Sequence, residues 1–106
     1  ETPSAGMLRE ILEETGMRCE TVALVGLYDS AIWSPRRSLQ TCAVTFLCRP
    51  LGDSAAPIAA DPRETSEVGW FAEDEIPLQM HPGHRERLTH AYQSWRGERR
   101  KAYFDP

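Results

Sequence analysis

The amino-acid sequence predicts an α/β domain, on three observations. A charge-rich segment with helix start and stop signals opens the chain between Thr2 and Gly16. Two runs of nearly continuous β-branched and apolar residues follow, at 21–27 and 40–48. An amphipathic pattern lies near the end, at 84–95. Strands that are apolar at consecutive positions, rather than alternate ones, belong to a sheet covered on both faces, and helices are the natural cover. A chain of 106 residues fits one such domain, so residues 1–106 are read as a single unit.

Each element has a local reason. Thr2 can cap free N–H groups, Pro3 is tolerated in the first helical turn, and Gly16 can take the left-handed conformation that closes a helix, so residues 4–15 read as a helix of about three turns. TVALVGL (21–27) and QTCAVTFLC (40–48) are bounded by turn formers and read as strands, and EVGWF (67–71) as a third, short one. The connections at 29–39 and 49–63 are rich in Pro, Gly, Ser and Asp, and loops of that length are often binding elements. At 84–95, Leu88, Ala91, Tyr92 and Trp95 recur at i, i+3, i+4 and i+7, which predicts a helix with these four on its buried stripe. The terminal KAYFDP reads as irregular, and Trp70 and Trp95 as core residues.

Composition removes several function classes. No apolar run approaches a membrane span, and 41% hydrophobic with 26% charged residues is ordinary for a soluble protein. A net charge of −4 argues against a general nucleic-acid binder, although WRGERRKAY interleaves basic and aromatic side chains and keeps single-stranded RNA as a rival ligand. Cys19, Cys42 and Cys48 are odd in number and form no CxxC pair, which points to reduced thiols and a cytoplasmic protein. His81, His84 and His90 show no metal-ligand spacing and are assigned surface or capping roles.

The first helix carries the chemistry. At about 100° per residue, Leu8, Ile11, Leu12 and Thr15 share one side and Glu10, Glu13 and Glu14 the other. Glutamates at these spacings repel one another, and two of them lie towards the negative end of the helix dipole. A divalent cation held by hard oxygen ligands would offset that cost. Glutamate is also a good helix former, and on the acidic face alone an ordinary solvated surface is the favoured reading.

The full spacing changes this weighing. Glu1, seven residues, then Arg9-Glu10-Ile11-Leu12-Glu13-Glu14-Thr15-Gly16-Met17 resembles the Nudix hydrolase box, G-x5-E-x7-R-E-U-x-E-E-x-G-U with U aliphatic, at every fixed position from its first glutamate onward. The resemblance implies a Nudix-type α/β/α sandwich with a mixed sheet. The box glycine and the early strands would precede Glu1, so the N-terminal part of that fold is expected to be missing from this chain. GLYDS, ETSEVGWF with EDEIP, HPGHRERLTHAY and AYFDP are further similar to bacterial Nudix proteins of the ADP-ribose pyrophosphatase-like kind, some of which cleave CDP-choline.

The resemblance carries roles with it. Glu10, Glu13 and Glu14 are implied as ligands of Mg²⁺ or Mn²⁺ and Glu1 as a supporting carboxylate. Arg9 would fix carboxylate geometry by pairing with Glu1 or Glu13, and Glu64, ahead of Glu67, is the candidate proton acceptor. The implied reaction is hydrolysis of the pyrophosphate bond in a nucleoside diphosphate linked to another group, ADP-ribose-like or CDP-choline-like, giving a nucleoside monophosphate and a phosphorylated product. In the 29–39 loop, Trp33 is the candidate for stacking on a base and Arg36 and Arg37 for meeting phosphate. No membrane partner is implied, and a homodimer is a family expectation. The rival from another class is a nucleotide-conjugate sensor that binds without turnover, a reading the intact set of glutamates weighs against.

Overall fold

The structure, a computed structural model, describes residues 1–29, 32, 41–52, 68–77, 79–80 and 82–106. The first helix, α1, spans Pro3–Thr15. Thr2 is extended, its side-chain oxygen accepts from the Ala5 N–H at 3.1 Å, and Pro3 follows at the first helical position. At the other end Gly16 adopts φ 73° and its N–H donates to the Leu12 carbonyl at 2.9 Å, a left-handed cap that a side chain would oppose. The sheltered stripe is Ser4, Met7, Leu8, Ile11 and Thr15. Leu12, expected on that stripe, is exposed, because Ser4 and Met7 set the docking face and rotate the helix away from it.

Two long strands follow, β1 (Cys19–Asp29) and β2 (Cys42–Pro50). The Leu51 N–H donates to the Arg18 carbonyl at 2.9 Å and the Arg49 guanidinium grips Glu20, so the pairings step in opposite directions and the strands run antiparallel. A short strand, β3 (Tyr103–Phe104), pairs parallel with the other edge of β1 through Gly26↔Tyr103 and Leu27↔Phe104. The order β2-β1-β3 is therefore that of a mixed sheet. Gly26 permits the β3 pairing: a Cβ there would lie 2.9 Å from the Tyr103 carbonyl oxygen and 3.0 Å from the Tyr28 ring.

Three sequence expectations are corrected here. KAYFDP is not wholly irregular, since β3 lies within it. Its order comes from pairing with the distant β1 and from Asp105, which accepts the Asp29 N–H at 2.8 Å through one carboxylate oxygen and the nearby Tyr103 hydroxyl at 2.7 Å through the other. Residues 68–71 of the expected third strand are irregular. No strand of the described sheet pairs with them, and an apolar run without a ladder partner gains nothing by extending. Trp70, expected in the core, is 68% exposed there.

A 3₁₀ turn at Glu73–Glu75 precedes a long helix, labelled α2 (Pro82–Trp95). Its buried residues are Gly83 and His90, while Leu88, Ala91 and Tyr92 are half-buried and Trp95 is 70% exposed. The expected stripe is thus turned: Trp95 occupies the last helical position on the open side, and His90 rather than a leucine is drawn inward by a polar partner on β1.

By compactness the chain falls into two units. The first comprises Glu1–Val22 and Cys48–Glu75, and the second Ala23–Leu47 and Ile76–Pro106. The first contains α1, and the second contains α2 and β3. No helix among the described residues is long and apolar enough to cross a membrane.

Candidate active site

The polar face of α1 is organised around one arginine. Arg9 Nε lies 3.1 Å from both carboxylate oxygens of Glu1, and its Nη2 lies 2.7 Å from Oε1 of the same group. On the other side Nη1 reaches Glu13, one turn on, at 3.0 and 3.2 Å. One planar guanidinium therefore fixes two carboxylates whose residues lie twelve positions apart. The charge of Arg9 holds the Glu1 carboxyl below the usual carboxylate range, chiefly through these hydrogen bonds, and the two acids raise Arg9 in return.

Glu10 and Glu14 are left out of this clamp. Both are exposed, and neither enters an ion pair among the described residues. At positions i and i+4 they stand on the same side of the helix, one turn apart. Among the described residues no group of three or more His, Cys, Asp or Glu side chains could hold a metal by itself. Two hard, unpaired carboxylates nevertheless suit a small divalent cation, because Mg²⁺ is usually held by one or two carboxylates, with water and substrate phosphate completing the shell. The donor chemistry fits such an ion, with Glu10 and Glu14 as the free ligands and Glu13 held beside them by Arg9.

A second polar cluster, in the other unit, was not legible as such. Tyr28, 1% exposed, lies with its hydroxyl 2.7 Å from His90 Nδ1, and His90 Nε2 lies 3.1 Å from Glu86. A carboxylate only accepts, so Nε2 carries the imidazole proton and Nδ1 accepts from the Tyr28 hydroxyl: a neutral histidine satisfies both partners. The Tyr103 ring closes on His90 with centroids 4.4 Å apart. Burial lowers His90 from its ordinary value, helped by the Arg99 charge and opposed by Glu86 and Asp105, and burial pushes Tyr28 up to about 12. His90 thus departs from its expected surface or capping role. The available signal was position: it shares a helical face with Gly83 and Arg87, opposite Trp95.

Trp33, Arg36, Arg37, Glu64 and Glu67 lie outside the described residues. All three cysteines are free thiols, and burial raises Cys19 and Cys48, which leaves neither as an activated nucleophile.

Comparison with known proteins places the chain in a family. The family model described as the NUDIX domain matches residues 1–91. The chain belongs to the NUDIX domain family. A MutT-like protein of Streptomyces ambofaciens is 32% identical over 91 residues, covering 86% of this chain and 53% of the relative. The NAD-capped RNA hydrolase NudC of Citrobacter koseri is 30% identical over 83 residues, covering 78% of this chain and 29% of that protein. The crystal structure of a UDP-X diphosphatase superposes with a TM-score of 0.73 at 26% identity, covering 98% of this chain and 49% of that one. The NUDIX chain thus has the α/β fold with a mixed sheet that its sequence predicts, and it spans about half the length of the MutT-like relative and of the solved structure.

Proposed function

We propose that the chain carries the catalytic helix of a divalent-metal-dependent pyrophosphohydrolase, which cleaves the diphosphate bond of a nucleoside diphosphate linked to a second group. The observation that carries this reading is the division of labour on α1: Arg9 binds Glu1 and Glu13, while Glu10 and Glu14 remain exposed and, among the described residues, outside any ion pair. Support for the substrate class comes from relatives named for NAD-capped RNA and for UDP-X, both nucleotides joined through a diphosphate.

Glu10 and Glu14 would hold the cation and Glu13 would complete the set. When bound, Mg²⁺ or Mn²⁺ supplies neutralisation of the diphosphate charge and Lewis-acid activation. Arg9 keeps the carboxylates in a fixed orientation, so little reorganisation is needed when substrate arrives. Glu64 is the proposed acceptor of the proton lost by attacking water, Trp33 the stacking surface for the base, and Arg36 and Arg37 the phosphate contacts. These four assignments rest on sequence. ADP-ribose-like and CDP-choline-like conjugates are the proposed substrates, beside the UDP- and NAD-type compounds suggested by the relatives.

The test is release of nucleoside monophosphate from ADP-ribose, CDP-choline, a UDP-sugar and NAD⁺, with Mg²⁺ or Mn²⁺, beside Glu13→Gln and Glu14→Gln. Turnover that disappears with chelator and falls more than about 100-fold in both variants is expected. Binding of these nucleotides without turnover, in a folded protein, would replace the hydrolase by a sensor.

A further inference from the structure

Where α1 seats on the sheet, the sulfur atoms of Met7 and Cys48 meet, and a third, that of Cys19, lines the same cavity as Cys48. The Ser4 and Thr21 hydroxyls lie 2.6 Å apart and seat the first turn of the helix on β1. One turn along the same face, Met7 Sδ lies 3.2 Å from Cys48 Sγ on β2. The antiparallel register fixed by Arg18 and Leu51 sets Thr21 opposite Cys48, and Cys19, two residues before Thr21, therefore shares their face. Cys19 and Cys48 are diagonal neighbours, a relation with Cα atoms about 7–8 Å apart and side chains within reach of one another.

That spacing discriminates between ligations. A direct disulfide needs Cα atoms closer than about 7 Å, whereas an ion bridging two sulfurs with bonds of about 2.3 Å spans the additional distance. Both thiols line a cavity of about 450 Å³ walled by Ile11, Met17, Trp70 and Phe71, and neither is fully buried. Two thiols and a thioether without a hard oxygen ligand among them form a soft donor set, which selects a monovalent d¹⁰ ion such as Cu(I) over Mg²⁺ or Mn²⁺.

We propose that Met7, Cys19 and Cys48 form a soft-metal site for Cu(I) between α1 and the two long strands, distinct in chemistry from the carboxylates of the same helix. On binding, Cys19 and Cys48 each release one proton to solvent and donate a thiolate, Met7 donates its thioether, and no redox change occurs. The ion would tie α1 to both long strands.

The test is anaerobic competition for Cu(I) against bathocuproine disulfonate, with the thermal midpoint as a second readout. One equivalent of Cu(I) should leave the chelator, and the midpoint should rise on loading, because binding selects the folded state. Cys19→Ser and Cys48→Ser should each weaken binding by more than about 100-fold, and Met7→Leu by about tenfold, a supporting-ligand effect. Cys42→Ser should bind as the unaltered protein does, and circular dichroism of each apo variant checks that folding is retained. Failure to compete for Cu(I), affinity unchanged in folded Cys19→Ser and Cys48→Ser, or loss confined to Cys42→Ser would overturn the site. None of these readouts depends on hydrolysis.

Discussion

Arg9 is fully engaged, with Nε and Nη2 on Glu1 and Nη1 on Glu13. Its pairs are exposed, and exposed ion pairs contribute only about 0–1 kcal/mol, so its value is orientation rather than stability. Arg9→Lys keeps the charge and loses the planar fork. Turnover is expected to fall by about 100-fold, as misplacement of a reacting assembly does, while the thermal midpoint stays almost unchanged. Parallel kinetics and melting measure both, and a midpoint that falls as steeply as the rate would make Arg9 structural. Tyr28 presents the opposite case. Removing its hydroxyl in Tyr28→Phe leaves Nδ1 of a buried, neutral His90 without that donor, so urea unfolding should show a loss of about 1–3 kcal/mol. A smaller effect in a His90→Leu background would show that the two side chains act as a pair.

At the scale of elements, Gly26 decides whether β3 can pair. A Cβ at this position meets the Tyr103 carbonyl oxygen at 2.9 Å, and backbone cannot rotate away as a flexible side chain can. Gly26→Ala should cost about 1–3 kcal/mol, the usual range for overpacking. Hydrogen exchange should show the loss first at the Asp29 amide, which β3's neighbour Asp105 accepts. Uniform loss of protection along β1 would mean that the substitution disturbs the whole strand instead. This contact also explains where sequence reading stopped. Both ends of α1 were legible because Thr2, Pro3 and Gly16 act on their own turn of chain. The two long strands were legible from their composition, within a few residues at each end. A two-residue strand whose partner lies more than seventy positions earlier carries no local signal, and periodicity on α2 missed the most deeply buried positions because they are occupied by glycine and histidine.

In the whole molecule the two polar systems belong to different compact units, the carboxylate helix to the first and the Tyr28–His90 cluster to the second. The carboxylate face was readable because its spacing on one helix is a property of sequence alone. The histidine cluster joins β1, α2 and β3, and its members acquire meaning only once the chain is folded. Two separate responses follow. His90 is lowered in the folded protein, so between its folded value and the ordinary value near 6.5 the unfolded chain binds more protons. Stability is therefore present above about pH 6.5 and declines as pH falls through this window, as Glu86, Asp105 and Arg99 face a histidine that must charge in place. In the proposed function, divalent cation would act on the other system, through carboxylates carried by residues 10–14 of α1. Hydrogen exchange resolved by segment should show amides of 82–95 and 103–104 losing protection between pH 7 and pH 5.5, and less so in His90→Asn. Saturating Mg²⁺ with a non-hydrolysable nucleotide diphosphate should protect 3–15 at either pH and leave 82–95 unchanged. Acid loss that begins in α1, or survives intact in His90→Asn, would remove His90 as the titrating group.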